Sequence, residues 1–221
     1  MADTVKILDI LSLTHDVKQF TVEKPKGYQF IPGQATEVAI NKEGWTEEKR
    51  PFTFTSLPDD DHLEFVIKSY PDHDGVTKEI ANLVPGDEFI IDESWGAIQY
   101  HGRGVFIAGG AGVTPFISIL RDLKVKGELE GNQLIFANKT RKDVILEAYF
   151  HELLGDDFIS ILDQEDLEGH EKGRVTMEFL KEKIEDFSQE FYVCGPDPMI
   201  KAVSSALENL GANPDAIVFE K

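Results

Sequence analysis

Residues 105–120 read VFIAGGAGVTPFISIL. An apolar run enters a glycine-rich turn and a second apolar run leaves it. The first has the composition of a buried strand. The second opens a helix, TPFISILRDLKV, with Pro115 in its first turn, where the N–H that proline lacks would be unpaired anyway. Strand, glycine turn and helix in that order begin an α/β layer. Glycines let the backbone approach a diphosphate. A helix N-terminus adds unpaired N–H groups and a partial positive charge, worth about 0.3–1 kcal/mol to an exposed anion. The common dinucleotide turn reads G-x-G-x-x-G; this one, GGAGVTP, closes on Pro115. By itself it is either a tight turn or a seat for a phosphate-bearing ligand.

The alternation continues downstream. QLIFANK, DFISILDQ, EFYVCG and AIVFEK read as strands; VILEAYFHELL, TMEFLKEKI and PDPMIKAVSSALENLG read as helices, the last closed by Gly211. This predicts a parallel sheet with helices on its faces. Upstream the rhythm differs. KILDILSLT, VKQFTVE, ATEVAI, RPFTFTS, LEFVIKSY and EFIIDE are short strand-like runs, separated by turn signals such as KPKG, PGQ, NKEG and PDDD. A single helix, TKEIANL, interrupts them, with Asp74 or Thr77 as a possible cap. The expected fold is therefore two-domain: an antiparallel β-barrel over residues 1–100, then an α/β parallel-sheet domain over residues 101–221, with the break in YHGRG.

Composition excludes several classes. The 221 residues are 41% hydrophobic and 29% charged, as in an ordinary globular protein. No apolar run approaches the roughly 18–20 residues that span a bilayer, and MADTVKILDI lacks the layout of a signal peptide. A net charge of −19 argues against a nucleic-acid partner, which needs phosphate-neutralising cations. One cysteine excludes an intrachain disulfide, a multi-thiolate zinc site and a Cys-ligated iron–sulfur cluster within this chain, and points to a reducing, cytoplasmic setting. His15, His62, His73, His101, His151 and His170 lack metal-ligand spacing, so no metal site is expected.

Three further segments carry chemistry. RPFTFTS (residues 50–56) puts an Arg, an aromatic and hydroxyls at short spacing. Arg suits a diphosphate through its planar fork, and an aromatic suits a flat heterocycle. On a regular strand Arg50 and Phe52 share one face and Thr53 the other, so a kink or a ligand at the strand edge is needed for all three to meet one molecule. DGVTKEI (residues 74–80) offers a turn into a helix, a second anion site by the same physics. YVCGPDPM (residues 192–199) ends a buried strand at Cys194, and its loop should neighbour GGAGVTP at the strands' carboxyl ends.

In this order, FIPGQATEVAI, RPFTFTS, DGVTKEIANLVPGD, GGAGVTPF and CGPDPM resemble the ferredoxin–NADP reductase superfamily of flavoproteins, over nearly the whole chain. The likeness is to compact bacterial flavodoxin or ferredoxin reductases without an iron–sulfur domain. The resemblance implies bound FAD, rather than FMN, and NADH or NADPH as hydride donor. It implies that Arg50 binds the flavin diphosphate. Pro51 belongs to the same motif. Phe52, in place of the usual Tyr, packs on the flavin, and Thr53 bonds near its N5. Val66, Ile67 and Lys68 line the flavin, and Gly75, Val76 and Thr77 hold the diphosphate. Gly110, Gly112, Val113, Thr114 and Pro115 hold the nicotinamide nucleotide, and Cys194, Gly195 and Pro196 sit beside the nicotinamide. Thr53, Cys194 and Glu220 are the implied catalytic residues. The sequence departs from the family at its end, FEK, where many members place an aromatic over the second flavin face; that leaves the face open to nicotinamide or to free oxidants.

Asp163 and Glu165, after the third strand of the α/β half, would repel a 2′-phosphate and accept from a ribose hydroxyl, which tilts the donor toward NADH; NKTRK (residues 138–142) argues the other way. The expected acceptor is a separate flavodoxin or ferredoxin, steered by cations such as Lys49, Lys68, Lys78 and Lys221. The alternatives are an NAD(P)H:flavin reductase that releases reduced free flavin, the reductase component of an oxygenase, or a regulatory subunit using the same fold.

Overall fold

The computed structural model describes residues 2–70, 75–96 and 98–219. The amino-terminal half is built on β1 (Asp3–Ser12), β2 (Val17–Glu23), β3 (Ala35–Ile40), β4 (Arg50–Thr53), β5 (His62–Lys68) and β6 (Glu88–Ile91). They lie in the order β4-β3-β6-β1-β2-β5, every neighbour antiparallel. A bridge between Phe54 and Phe65 joins the ends of the two outer strands and nearly closes the sheet into a barrel.

Side-chain alternation gives the barrel two faces. Phe54, Leu63, Phe65 and Ile67 belong to the barrel core, whereas Val66, one residue out of phase, belongs to the core of the α/β half. Helix α1 (Val76–Ile80) drops Val76 and Ile80 into the barrel core. Its N-cap is Gly75, without a side-chain cap; Thr77 lies inside the helix, and Asp74 lies outside the described residues.

The second half consists of β7 (Gly104–Gly109), α2 (Thr114–Lys126), β8 (Gln133–Asn138), α3 (Glu147–Leu154), β9 (Phe158–Leu162), β10 (Glu171–Lys172), α4 (Met177–Lys183), β11 (Glu190–Cys194), α5 (Asp197–Asn209) and β12 (Ile217–Phe219). The sheet is parallel, in the order β10-β9-β8-β7-β11-β12. One face packs on α2 and α3, the other on α4 and α5. Two details depart from the sequence pattern. The VIL of VILEAYFHELL is not helical: Leu146 takes φ 55 and α3 starts only at Glu147, while Val144 and Ile145 are buried as loop residues. The short edge strand β10 carries no apolar signal.

Two features, among others, join the halves. Tyr192 stacks on Phe106 with centroids 4.5 Å apart, and its hydroxyl donates to the Gly102 carbonyl (2.8 Å) while accepting from the N–H groups of His101 (2.9 Å) and Gly102 (3.0 Å). Burial pushes this phenol's pKa up, the hydrogen bonds only partly opposing it. The connecting segment is thus pinned to β11. The second feature is a seat for α2 on the barrel. Gly33, at φ 96, donates its N–H to the buried Ser118 hydroxyl (3.1 Å), and a Cβ there would collide with the Ile98 carbonyl. No helix among the described residues is long and apolar enough to cross a membrane.

Candidate active site

β7 and β11 are adjacent in the sheet, yet β7 leads by α2 to β8 on one side and β11 by α5 to β12 on the other. That is a topological switch point, where the two following loops part and leave a crevice at the strands' carboxyl ends. Here the loops touch through glycines. A Cβ on Gly112 would lie 2.5 Å from the carbonyl carbon and oxygen of Cys194 and 2.6 Å from the Gly195 Cα. One on Gly195 would lie 3.1 Å from the Gly109 nitrogen, and one on Gly109 would run into the Met199 sulfur. The sequence expectation that GGAGVTP and CGPDPM are neighbours is met at the level of backbone contact. Gly110 differs: it takes φ 54 and has open space where a Cβ would be. Val113 and Pro115 are buried packing residues, and the Thr114 hydroxyl donates to the Ala111 carbonyl (3.0 Å). Cys194 is 5% exposed.

β8 runs beside the turn Gly110–Val113 and ends at Asn138. Both amide atoms of Asn138 are buried without a hydrogen-bond partner, as is Oδ1 of Asp163, just past β9. Buried polar groups left unpaired cost about 1–3 kcal/mol each, so two such groups at the carboxyl end of one parallel sheet suit a polar ligand. Asn138 escaped the sequence reading; its place as the last residue of QLIFAN was the available signal.

The barrel supplies the opposite wall. The Phe54–Phe65 bridge sets Thr53 beside Val66, on the face turned to the α/β half, and β5 runs alongside the turn Gly110–Val113. Thr53 is 9% exposed. β4 is regular through Thr53, so Phe52 faces the other way and packs partly on the barrel core; the three motif residues do not share a face. Pro51 and Arg50 are exposed. The Arg50 guanidinium donates to the Lys49 carbonyl (2.6 Å) and stands 3.9 Å from Glu48. Ile67 is buried, and the Lys68 ammonium pairs with Asp16 (2.9 Å). Gly75 has open space where a Cβ would be, while Val76 is buried.

Farther out, the loops after β8 and β9 are tied together. Asp163 pairs with Arg174 (3.3 Å), a cation the sequence reading did not weigh. Glu165 accepts from the Arg141 N–H (2.7 Å), and the Arg141 guanidinium bonds Glu147 (3.0 Å). His170, whose side chain is 5% exposed, meets the other Glu147 oxygen at 2.6 Å. Burial would raise the Glu147 pKa, but Arg141 and His170 more than offset it and hold the carboxyl below its usual value. Arg141, Glu147 and His170 border a cleft of about 310 Å³. Asp143 caps the first loop by accepting from the Thr140 N–H and hydroxyl (2.9 and 2.6 Å). Among the described residues, no group of three or more His, Cys, Asp or Glu is arranged to hold a metal.

Residues 2–96 match the family described as FAD-binding domain, and residues 106–205 match the family described as oxidoreductase NAD-binding domain. The two matches fall on the barrel and on the parallel sheet respectively. The chain belongs to the ferredoxin–NADP reductase superfamily. This superfamily member is 30% identical to the reductase component of propane 2-monooxygenase from Rhodococcus jostii (strain RHA1), over 98% of the chain and 62% of the relative. It is 26% identical to the electron transfer component of 2-halobenzoate 1,2-dioxygenase from Burkholderia cepacia, over 92% of the chain and 62% of the relative. The chain thus spans 62% of the length of each of these curated relatives. A ferredoxin NADP+ reductase from Neisseria gonorrhoeae with bound FAD and NADP shares the fold, with a TM-score of 0.87 at 21% identity over 99% of this chain and 98% of that one.

The residues present fit both groups that the superfamily binds. The Gly110 opening and the unpaired Asn138 and Asp163 atoms suit a nucleotide; the exposed Arg50 fork and the open side of Gly75 suit a diphosphate. Of the lysines considered for docking an acidic partner, Lys49 and Lys68 are each neutralised, by Asp92 (2.6 Å) and Asp16. Glu220 and Lys221 lie outside the described residues.

Proposed function

We propose that the chain is an FAD-dependent NAD(P)H oxidoreductase, taking a hydride from reduced nicotinamide and passing electrons to a separate acceptor protein. The flavin half is assigned to residues 1–100 and the nucleotide half to residues 101–221. The observation that carries the reading is the position of β5 alongside the turn Gly110–Val113, which turns the Thr53 face of the barrel toward the glycine crevice of the sheet. Bound FAD supplies the two-electron acceptance and the one-electron release that a nicotinamide cannot easily provide. The chain's own residues supply position. Arg50 holds a diphosphate with its fork, helped by the backbone of residues 75–77. Thr53 offers a hydroxyl from a nearly dry wall, where a hydrogen bond is stronger than in water. Val66, Ile67 and the backbone of Lys68 exclude water from the same wall. Gly110 and Gly112 let the nucleotide backbone lie against the turn, Asn138 gives its unpaired amide, and Cys194, with Gly195 and Pro196, closes the crevice from β11.

Asp163 favours NADH: its unpaired Oδ1 suits a ribose hydroxyl, and its charge opposes a 2′-phosphate. The acceptor is a redox protein such as a flavodoxin or ferredoxin, or an oxygenase served by such a protein; the two curated relatives, named as oxygenase reductase and electron transfer components, support the latter. The buried single cysteine suits a reducing, cytoplasmic setting. An absorbance spectrum with anaerobic titration tests the whole reading. Flavin bands bleached by NADH at lower concentration than by NADPH are expected. A colourless protein that neither takes up FAD nor oxidises either nucleotide overturns it.

A further inference from the structure

We infer that Arg121 is a positioning residue that sets the nucleotide turn against the flavin strands; the inference rests on the proposed hydride transfer. Arg121 lies on α2, the helix that begins at Thr114 directly after the turn Gly110–Val113. Its guanidinium crosses to the barrel, donating to the Thr55 carbonyl (2.6 Å) and to Glu64 Oε1 (2.7 Å). The same Glu64 oxygen accepts from the Thr55 hydroxyl (2.7 Å), and Glu64 is 6% exposed. Thr55 is two residues past Thr53 and Glu64 two residues before Val66, so one side chain grips both strands that form the flavin wall. Ser118, three residues earlier on the same helical face, makes the second anchor, on Gly33.

The lever is short. From Thr114 to Arg121 is about 10 Å at 1.5 Å per residue. A tilt of α2 by about 10° would therefore move the turn by about 2 Å, and a misplacement of about 1 Å can cost hydride transfer on the order of 100-fold. The two cofactors are held by different halves of the chain, so nothing within either half fixes their separation. The Ser118 and Arg121 anchors on α2 contribute to fixing it, and the two charge-assisted bonds from Arg121 Nη1, one to the Thr55 carbonyl and one to Glu64, resist sliding of the helix along the barrel.

Removing Arg121 alone strands a buried carboxylate, which destabilises a protein for reasons unrelated to positioning. The test therefore uses Arg121→Met, the double variant Arg121→Met/Glu64→Gln, which leaves no uncompensated charge, and Arg121→Lys. The expected result is a limiting rate of flavin reduction by NADH about 10–100-fold lower in both Met variants, with FAD content unchanged and nucleotide Kd moved less than about threefold. The double variant regains thermal stability but not rate, and Arg121→Lys falls between. In the protein without cofactors, amide exchange rises in residues 31–35 and 54–65 but not in the β1–β2 ladder. A double variant that recovers rate together with stability, or unchanged exchange in residues 31–35, overturns the inference. Wild-type protein that takes up no FAD overturns the proposed function and this inference with it; wild-type reduction with an unaffected Arg121→Met overturns this inference alone.

Discussion

Gly112 and Cys194 meet backbone to backbone, closely enough that a Cβ on Gly112 would lie 2.5 Å from the Cys194 carbonyl carbon. The contact couples the loop after β7 to the loop after β11, and so sets the width of the switch-point crevice. Neither atom is the end of a flexible side chain, so the contact cannot relax locally.

Gly112→Ala is therefore expected to spread the two loops. Overpacking of a rigid contact costs about 1–3 kcal/mol. Nucleotide affinity should fall by about tenfold or more while FAD content stays at the wild-type level. Isothermal titration of the oxidised protein with NAD+ measures it; wild-type affinity would show that the crevice tolerates a methyl group.

Thr53→Ala should leave the barrel folded, because the residue lies on the outer face of the wall and not among the barrel core side chains. Loss of one positioned hydroxyl should slow flavin reduction by about 10–100-fold, with Thr53→Ser retaining most of the rate. Stopped-flow reduction at saturating NADH distinguishes this from a change in KM. An unchanged limiting rate for Thr53→Ala sinks the assigned role.

Asp163→Ser removes the charge that opposes a 2′-phosphate and releases Arg174 from its ion pair. The ratio of kcat/KM for NADPH over NADH should rise by about tenfold, or about 1.4 kcal/mol of discrimination. In Asp163→Ser/Arg174→Ala that gain should shrink. A ratio that does not move in Asp163→Ser removes Asp163 from nucleotide choice.

Tyr192→Phe keeps the ring stacked on Phe106 but deprives two N–H groups of their acceptor and one carbonyl of its donor. The expected loss is about 1–3 kcal/mol in urea unfolding. Exchange of the His101 and Gly102 amides should rise first, since they lie on the segment joining the two halves. Equal stability would mean that water replaces the phenol there without cost.

The order of elements was legible because each half keeps one rhythm: period-two strands with close turns before residue 100, strand–helix alternation after it. The two glycine loops were legible for the same reason, since a strand followed by glycine and proline marks a carboxyl end. What escaped depends on register and long-range pairing. Whether Phe52 and Thr53 share a face was decided by β4 staying regular, which the letters RPFT do not reveal. Arg121 reads as an ordinary exposed helix position until its partner Glu64, 57 positions away, is in place. Arg174 and Lys68 likewise acquire meaning only from Asp163 and Asp16. The left-handed Leu146 was invisible because apolar periodicity runs straight through VILEAYF.

Acid should loosen the loops after β8 and β9. For Asp143, burial would raise the pKa, but the Thr140 hydroxyl and N–H, with His15 and Lys68 nearby, hold it below the ordinary carboxylate value; Glu147 is held low by Arg141 and His170 against the same burial effect. A carboxyl whose folded pKa lies below its unfolded value of about 3.9–4.3 adds stability that is complete above that value. The contribution is lost as pH falls through the lower folded value. These two groups therefore contribute no slope between pH 7 and 5, and a falling one below about pH 4. Asp143→Asn should cost about 0.5–2 kcal/mol at pH 7 through the weakened cap, and its stability should fall less steeply in acid, because one titrating group is gone. Urea unfolding of both proteins from pH 7 to pH 3.5 checks the sign: the two curves should converge as pH falls, and a gap that stays constant or widens would show that the Asp143 charge plays no part in holding the loop.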